Sequence, residues 1–388
     1  MKTYNQLYPQ ITSFENLLLA ALSCERGKRL RHDVGEFRTS REQELLQLRR
    51  ELVDQSYRPG DYRERFIHRP KRRLISAAPY RDRVVHHALC RVVMPLFERR
   101  MIHDLYSNRD GMGTHAAIRR CRELTKRYRY VLKCDIRKFY PSIDLEILKQ
   151  IVRRTIRCRE TLWLMDTLID HSNAQEPVCN LFPGDDLAEA AERRVGLPIG
   201  NLTSQWFGGI YLTPFDHWVK HELRCGGYLR YVDDFLLFSD DKAELRAWRQ
   251  AIVEKLAAVR LRLHAGKSRT HRVVDGVTFL GQRVWPGKQR LCRPNVVAAR
   301  RRLKWNVRQY LAGTLTKEAL TARWMSWRGH ALQADTESLV ANLQRELADF
   351  LNLGSAGRQP PGRACCGAAR GTTTRTTCAA PTATTTIR

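Results

Sequence analysis

The sequence predicts an α+β fold of two or three packed subdomains, and three observations lead to this prediction. The chain of 388 residues is too long for one small module. Apolar residues recur at helical spacing near both ends, whereas the middle holds short runs of strand-forming residues between turn signals. Hydrophobic residues make up 43% of the chain, which is enough to form a buried core.

The N-terminal part of the chain is predicted to be helical. Apolar residues recur at helical spacing over 13–21 and again over 42–52, and a basic loop from Arg26 to Arg38 joins these two amphipathic segments. Residues 57–60, with the sequence Tyr-Arg-Pro-Gly, then mark a turn. We therefore assign residues 1–56 to a helical extension.

A strongly basic stretch follows this extension. Residues 66–78 have the composition of a strand, and a helix is predicted from Asp82 to about Arg100. The strand-like stretch contains four cations within five residues, namely Arg69, Lys71, Arg72 and Arg73. Such a run needs anions nearby, although taken alone it is more typical of a solvated basic loop.

The middle of the chain alternates strands and helices. A strand is predicted over 128–136, and residues 140–144 open a helix whose inner face carries Ile147, Leu148, Ile151 and Val152. Residues 172–194 are polar and contain proline and glycine, which is typical of a loop or an insertion. A long, mostly apolar helix is predicted next, roughly over 204–223.

Two acids stand at the tip of a predicted hairpin. The strand-like runs 228–232 and 235–238 are separated only by Asp233 and Asp234. An Asp-Asp pair in a turn is ordinarily a solvent-exposed tip. Here the flanking strands are apolar, and adjacent carboxylates in such a setting cost several kcal/mol unless a cation compensates. A divalent metal ion would supply that compensation.

The last part of the chain is predicted to be helical and basic. A helix over 243–256, a turn over 264–268 and a strand over 277–281 follow the hairpin. From Asn295 to about Phe350 the pattern is helical, and three tryptophans lie among the arginines: Trp305, Trp324 and Trp327. This mixture is typical of a subdomain that grips nucleic acid.

The charge of the chain indicates a polyanionic partner. Lys and Arg number 68 against 40 Asp and Glu, a formal net charge of +28 that would make a compact protein repel itself without such a partner. Aromatic residues at 9% argue against a disordered basic tail or a histone-like protein. The longest early apolar run, 17–22, is too short for a membrane span or a signal peptide, so we expect a cytoplasmic protein without a membrane partner.

Asp135 is a third candidate for metal binding, because it lies at the end of a different predicted strand from the Asp233-Asp234 pair. Two magnesium ions about 3.5–4 Å apart, held by carboxylates from two strands, would stabilise both the attacking and the leaving oxygen of a phosphoryl transfer. The sequence therefore favours two-metal chemistry on a phosphate.

These acids lie in motifs that resemble those of reverse transcriptases. Residues 231–234, Tyr-Val-Asp-Asp, match the YxDD box of that family, and residues 135–140, Asp-Ile-Arg-Lys-Phe-Tyr, are similar to its first palm motif. The resemblance implies two Mg²⁺ ions, with Mn²⁺ as a substitute, at Asp135, Ile136, Asp233 and Asp234. It also implies that Tyr140 lies under the sugar of the incoming nucleotide and excludes ribonucleotides.

Further motifs follow in the order of that family. The segments PKRRLI and DRVVHHAL are similar to its fingers motif, which places Lys71 and Arg73 on the triphosphate of the incoming dNTP. Residues 263–268 resemble the loop whose lysine is proposed to protonate the leaving pyrophosphate, so Lys267 is the candidate general acid. Residues 279–281, Phe-Leu-Gly, resemble the box that joins palm and thumb.

The resemblance implies a right-hand polymerase fold, in which the palm is an antiparallel sheet with helices and the thumb is helical. The expected parts are the extension 1–56, fingers 57–127, a palm with fingers insertions 128–288 that includes the YVDD hairpin 228–238, a thumb 289–353 and a disordered tail 354–388. The tail is rich in Thr, Ala and Arg and contains no acid or aromatic residue, a composition that does not form a core.

One motif departs from the general pattern of the family. Most reverse transcriptases carry a glutamine before the glycine and Ser-Pro after it, whereas residues 199–205 read Ile-Gly-Asn-Leu-Thr-Ser-Gln. This form is the signature of reverse transcriptases of diversity-generating retroelements, which misincorporate opposite template adenines. The resemblance places Ile199, Gly200, Ser204 and Gln205 at the template and the nascent base pair. An aliphatic Ile199 offers no side-chain hydrogen bond there, which would weaken base discrimination, unless it merely packs against the fingers.

The predicted function is RNA-directed DNA synthesis for mutagenic retrohoming. The enzyme would copy a template-repeat RNA into cDNA from a primer and dNTPs, and the resemblance implies a small accessory variability-determinant protein in a ribonucleoprotein. A group II intron-like, retron or defence-type reverse transcriptase is the alternative. A catalytically inactive RNA-binding derivative is less favoured, because the candidate catalytic residues are intact. No segment that cleaves a DNA target is expected in this chain.

The threonine-rich tail allows a separate hypothesis. In diversity-generating elements an adenine-rich repeat lies close to the polymerase gene, and ACN triplets encode threonine. The tail is therefore interpreted as translated repeat or flanking sequence. Its deletion is expected to leave polymerase activity intact.

Overall fold

A computed structural model of the protein describes residues 3–68, 71–173 and 175–356. Its helices are, in chain order, α1 (Tyr8–Ile11), α2 (Phe14–Glu25), α3 (His32–Thr39), α4 (Arg41–Val53), α5 (Tyr80–Glu98), α6 (Thr114–Arg127), α7 (Phe139–Ser142), α8 (Leu145–Arg153), α9 (Arg159–Asp170), α10 (Leu187–Glu192), α11 (Leu202–Tyr211), α12 (Thr213–His221), α13 (Lys242–Ala257), α14 (Arg293–Leu311), α15 (Lys317–Ala331) and α16 (Glu337–Ala356). Its strands are β1 (Arg63–Ile67), β2 (Arg73–Ala77), β3 (Tyr130–Asp135), β4 (Gly227–Tyr231), β5 (Asp234–Ser239), β6 (Arg269–Arg272), β7 (Val277–Phe279), β8 (Gln282–Trp285) and β9 (Lys288–Leu291). The predicted mixture of helices and antiparallel sheets is confirmed.

The central element is a four-stranded antiparallel sheet with the strand order β4-β5-β3-β6. Strands β4 and β5 form a hairpin, and β3, which comes much earlier in the chain, pairs with β5 along its whole length. In that register Val131 lies opposite Phe238 and Asp135 lies opposite Asp234. Two smaller antiparallel sheets consist of β1-β2 and of β7-β8-β9.

The two faces of the central sheet carry different residues, because side chains alternate along a strand. One face is buried against α12 and α13 and includes Leu132, Cys134, Phe235 and Leu237. The other face packs on α6 and includes Val131, Leu229, Leu236 and Phe238. By the same alternation, Asp135 and Asp234 belong to this second face. Apolar packing therefore holds the sheet and leaves these acids at one end of it.

The N-terminal region is more helical than predicted. The helices predicted over 13–21 and 42–52 are confirmed as α2 and α4, and the Ser13 hydroxyl caps α2 by accepting the Asn16 N–H at 3.2 Å. The second half of the predicted basic loop is wrong, since it forms α3. Val34 and Phe37 of α3 are buried at i, i+3 spacing, so core packing outweighs the basic surroundings.

The helix predicted over 204–223 is two helices, α11 and α12, that meet at Leu212. Pro214 occupies the first turn of α12, where its missing N–H removes no helical hydrogen bond. The loop predicted over 172–194 is confirmed apart from the short helix α10. Sequence analysis also missed β6, β8 and β9, which are four residues long and contain many charged or polar side chains.

The C-terminal end of the described chain is helical. Helix α16 ends at Ala356, so the first three residues of the predicted disordered tail are helical instead. The rest of that tail, 357–388, lies outside the described residues, and so does Arg69.

The chain divides into two compact units. These are Met1–Val296 with His330–Thr336, and Val297–Gly329 with Glu337–Arg388, each over its described residues. The first unit contains the sheets described above. In the second unit Leu303 and Leu343 are buried, and Arg300 Nη2 lies 2.8 Å from Glu346 Oε1. None of the helices that the structure describes has the length and apolar composition needed to cross a bilayer.

Candidate active site

The three predicted metal-binding acids lie at one end of the central sheet. Asp135 is the last residue of β3, Asp234 is the first residue of β5, and the two face each other directly in the antiparallel register. Such opposed residues have Cα atoms about 4.5–5.5 Å apart. Asp233 precedes Asp234, and its carbonyl oxygen accepts the Ile136 N–H at 3.3 Å. Two segments far apart in the chain thus bring these residues together.

The turn between β4 and β5 consists of Val232 and Asp233, one residue earlier than predicted. Tyr231 pairs with Asp234, so Asp234 is a strand residue and not part of the turn. Val232 has a φ of +57°, a left-handed conformation that is rare for a β-branched residue. Its N–H donates to Ser107 Oγ at 3.1 Å, and its carbonyl oxygen accepts from Arg230 Nη1 at 2.8 Å. These two contacts hold the turn.

A buried ion pair lies beneath this turn. The side chains of Arg230 and Asp216 are both 0% exposed. Arg230 donates from Nη2 to Asp216 Oδ2 at 2.6 Å and from Nε to Asp216 Oδ1 at 2.7 Å, and the Tyr228 hydroxyl donates to Asp216 Oδ1 at 2.7 Å. Because a buried charge without its partner is strongly destabilising, the pair fixes Arg230 where it supports Val232.

Burial makes the acids of the turn costly to ionise. The pKa of Asp233 is raised to about 6, first by burial and also by the charges of Asp135 and Asp234, whereas Arg73 acts in the opposite direction. Burial also raises the pKa of Asp234, and the charge of Lys133 opposes that effect. A cation placed among these carboxylates would relieve both costs.

Two of the carboxylates face lysines. Lys267 Nζ lies 2.7 Å from Asp135 Oδ1, and Lys133 Nζ lies 3.6 Å from Asp234 Oδ1. Within the described residues, no three His, Cys, Asp or Glu side chains are arranged as a ready set of metal ligands.

The acids nevertheless suit a divalent metal ion. Asp234 Oδ1 is buried without a hydrogen-bond partner among the described residues. Oxygen atoms of carboxylates are the ligands that Mg²⁺ prefers, and the orphaned oxygen and the raised pKa of Asp233 both favour a bound cation.

A cleft with a volume of about 680 Å³ opens beside these acids. Eight of the predicted site residues line it: Lys71, Arg73, Asp135, Ile136, Tyr140, Ile199, Asp233 and Lys267. Three cations that sequence analysis assigned no role also line it: Arg72, Arg137 and Lys138. A cleft with carboxylates at one place and several cations around them suits a metal-bound polyphosphate.

Helix α7 places Tyr140 in the cleft. The Tyr140 ring packs beside that of Phe139, with 5.3 Å between the ring centroids. A Cβ on Gly208 of α11 would lie 3.1 Å from Phe139 Cε1 and 3.2 Å from Tyr140 Cε1. Glycine at 208 therefore lets α11 approach the two rings closely. Burial raises the pKa of Tyr140, so its hydroxyl stays neutral.

The segment 199–201 is bound to β2. Ser76 N–H donates to the Ile199 carbonyl oxygen at 3.0 Å, and Asn201 Nδ2 donates to the Ser76 carbonyl oxygen at 3.0 Å. Gly200 has a φ of +124°, and a Cβ there would lie 3.0 Å from Ile75 Cγ2, so the position favours glycine.

Ile199 is the one of the four predicted template contacts that lines the cleft. Ser204 is buried in α11, and Gln205 is exposed on the same helix. Contact of Gly200, Ser204 and Gln205 with the template stays a prediction.

Sequence analysis missed several residues that shape this site: Ser107, Asn201, Asp216, Arg230 and Gln175. Two of them had a signal. Arg230 stands in an apolar strand and Asp216 in a largely apolar helix, and a charge in such a position needs a buried partner. The others act through contacts between distant segments, which no local pattern indicates.

Comparison with known proteins gives a family. Residues 67–284 match the family model described as reverse transcriptase (RNA-dependent DNA polymerase). The chain is similar to Protein YkfC of Escherichia coli (strain K12), with 26% identity over 295 residues that cover 66% of this chain and 74% of that protein. It is also similar to Nuclear intron maturase 1, mitochondrial, of Arabidopsis thaliana, with 26% identity over 94 residues that cover 24% of this chain and 13% of that protein.

The family match covers more than half of the chain, including Asp135, the YVDD hairpin and Lys267. Members of the family use a template RNA, a primer and dNTPs, and they generally require divalent metal ions. The chain therefore belongs to the reverse transcriptase family and is an RNA-directed DNA polymerase.

Proposed function

We propose that this polymerase joins nucleotides by two-metal nucleotidyl transfer at the acidic end of the central sheet. Asp135, Asp233 and Asp234, with Ile136 beside them, would hold two Mg²⁺ ions, for which Mn²⁺ can substitute. The observation that carries the proposal is the direct pairing of Asp135 with Asp234 next to Asp233 in the turn. When bound, the ions would stabilise the charge that develops on the attacking and leaving oxygens.

The other residues of the cleft have proposed roles in binding the dNTP. Lys71 and Arg73 would neutralise the triphosphate, which the influence of Arg73 on the pKa of Asp233 supports, because it places a positive charge near the acids. Tyr140 would lie under the sugar. Lys267 would donate a proton to the leaving pyrophosphate, after a bound cation has replaced it as the partner of Asp135 Oδ1.

The proposed division of the chain follows that of a right-hand polymerase. Fingers would span 57–127, the palm 128–288 and the thumb 289–353, after the N-terminal extension. The central sheet and its hairpin, which lie within 128–288, support the palm assignment.

We further propose that the enzyme serves a diversity-generating retroelement and makes errors opposite template adenines. The supporting observation is Ile199, which lines the cleft and offers an aliphatic side chain where most of the family offers a glutamine. A lost pair of hydrogen bonds corresponds to roughly a five- to hundredfold loss of selectivity. An accessory variability-determinant protein would join the enzyme and its RNA in one particle. The similarity to a maturase keeps a group II intron-like role as the second candidate.

Primer extension with purified protein tests the chemistry. We expect Asp233→Asn to abolish extension of a primed RNA template with dNTPs and Mg²⁺, while circular dichroism shows a folded chain. The exposed Asp61 provides a matched control, so Asp61→Asn should extend the primer like the wild type. Normal extension by Asp233→Asn would refute the proposed site.

Sequencing of the cDNA tests the proposed biology. We expect the errors of the wild-type enzyme to concentrate at template adenines, and we expect Ile199→Gln to reduce them because glutamine can donate and accept hydrogen bonds near the base pair. Errors spread evenly over the four template bases would instead favour an intron-like, retron or defence-type enzyme.

A further inference from the structure

Gln175 belongs to the polar segment 172–194 and lines the cleft. Its Oε1 accepts the Ile199 N–H at 3.2 Å. Its Nε2 donates to Ser76 Oγ at 3.0 Å and to Asn173 Oδ1 at 2.8 Å. Both hydrogens of the amide are therefore engaged, so Gln175 acts on its neighbours and has no donor left for a ligand.

Ser76 connects this segment to the β1–β2 hairpin. It is buried on β2, and its hydroxyl accepts from Gln175 and from Asn173 Nδ2, both at 3.0 Å. Its N–H donates to the Ile199 carbonyl oxygen at 3.0 Å. The backbone of Ile199 is thus held on one side by Gln175 and on the other by Ser76. The same strand, β2, begins at Arg73.

We propose that Gln175 is a positioning residue for nucleotide selection. By fixing Ile199 and Ser76 together, it sets the position of the Ile199 side chain relative to Arg73 at the other side of the cleft. The inference rests on the proposed contact of Ile199 with the nascent base pair. Without Gln175 the Ile199 N–H loses its partner, and the segment between Leu197, whose N–H donates to the Tyr140 carbonyl oxygen at 2.9 Å, and Asn201 becomes free to shift.

The proposed effect is on selectivity, because Gln175 lies apart from the reacting groups. Among the described residues, no hydrogen bond joins Gln175 to Asp135, Asp233 or Asp234. A shifted Ile199 would alter how tightly the base pair is enclosed, whereas the acids and their turn are held by Arg230 and Ser107. Discrimination between correct and incorrect dNTPs should therefore change more than the rate of correct addition.

Single-nucleotide extension of the full chain on primed RNA tests this proposal. Gln175→Met keeps the length of the side chain and removes all three hydrogen bonds. We expect the ratio of kcat/KM for correct over incorrect dNTP to fall about five- to tenfold, the effect of one lost buried hydrogen bond. Asn173→Ala removes a neighbouring donor to Ser76 but leaves the Ile199 N–H its partner, so we expect a change of less than about threefold. The exposed Gln250→Ala on α13 should behave like the wild type.

The outcomes separate the inference from the proposed function. A folded Gln175→Met protein with wild-type selectivity would overturn the inference. Equal losses of correct addition and of thermal midpoint in Gln175→Met and Asn173→Ala, without a change in selectivity, would also overturn it, since they indicate a purely structural role. If Ile199→Gln leaves selectivity unchanged, the proposed contact of Ile199 itself fails.

Discussion

At the scale of single residues, the candidate site keeps two unfavourable features that its neighbours compensate. Val232 adopts a left-handed conformation at φ +57°, which costs on the order of 1–3 kcal/mol. Arg230 and Ser107 hold it there by hydrogen bonds to its carbonyl oxygen and its N–H. Asp233 is an acid in a buried position beside two others. A cation that binds the folded protein would therefore stabilise it by relieving the repulsion among these acids.

We expect Asp233→Asn to raise the free energy of unfolding at pH 7 when divalent ions are absent. The pKa of Asp233 is raised to about 6, so the ionised side chain costs up to about 3 kcal/mol relative to the unfolded chain. The folded state holds this proton more tightly than the unfolded state does. Wild-type stability should therefore rise as the pH falls from about 6 towards 4, and the advantage of Asp233→Asn should shrink over that range.

Urea unfolding of both proteins in EDTA at pH 4 and pH 7 measures this difference. Asp61→Asn, which changes an exposed acid, should follow the wild type at both pH values. An Asp233→Asn protein that is less stable than the wild type at pH 7 would show that the ionised carboxylate is stabilised in the fold, contrary to our account.

At the scale of elements, close packing fixes the position of the hairpin that carries the acids. Gly227 at the start of β4 lies opposite Phe238 of β5. A Cβ at 227 would lie 2.7 Å from Phe238 Cβ and 2.9 Å from Tyr128 Cε2, closer than atoms of real side chains approach. The small size of Gly227 thus allows β4, β5 and the residues before β3 to pack together.

We expect Gly227→Ala to lower the free energy of unfolding by about 1–3 kcal/mol, because the added methyl group overpacks the core. Gly35 of α3 is a matched control, since a Cβ there meets no atom within 4 Å. Gly35→Ala should raise stability by about 0.5–1 kcal/mol through the better helix propensity of alanine. Thermal and urea unfolding measure both effects. Equal stability changes at the two positions would contradict the packing argument.

The segment 172–194 illustrates how an element that is irregular in sequence becomes ordered by side chains. Phe182 is buried, and three guanidinium groups lie over its ring at 6.0, 5.7 and 5.1 Å from the centroid, those of Arg193, Arg260 and Arg262. Asp185, with a fully buried side chain, accepts Arg193 Nη2 at 2.7 Å. These contacts anchor the segment, which allows it to present Gln175 to the cleft.

At the scale of the whole molecule, the dominant property is positive charge. The formal net charge of the sequence is +28, and the cleft itself carries Lys71, Arg72, Arg73, Arg137 and Lys138 beside the acids. Template and primer carry a phosphate at every nucleotide, so their binding should release many counterions. We therefore expect electrostatics to provide most of the affinity for nucleic acid.

Affinity for a primed RNA template should fall steeply with salt. A protein that contacts 6–10 phosphates loses about 10³–10⁵ in affinity between 50 and 200 mM salt. We expect a loss of that order here, with a linear dependence of the logarithm of affinity on the logarithm of salt concentration. Fluorescence anisotropy of a labelled primer–template measures it. A change smaller than about tenfold would indicate that stacking and other uncharged contacts dominate.

The sequence by itself determined the family, the order of the motifs, the acidic hairpin and the basic character of the chain, because each of these is written in neighbouring residues. Strand alternation, an Asp-Asp pair between apolar runs and an excess of lysine and arginine can be recognised without knowledge of any distant contact.

Only the tertiary structure decided which residues meet. The pairing of Asp135 with Asp234 brings together segments about a hundred residues apart, and the ion pair of Arg230 with Asp216 joins a strand to a helix. The turn lies at Val232 and Asp233, since the register of β4 and β5 follows from the packing of both sheet faces. Gln175 reaches Ile199 because Phe182 and Asp185 are buried elsewhere. Such choices depend on burial and packing between distant parts of the chain, which no local pattern specifies.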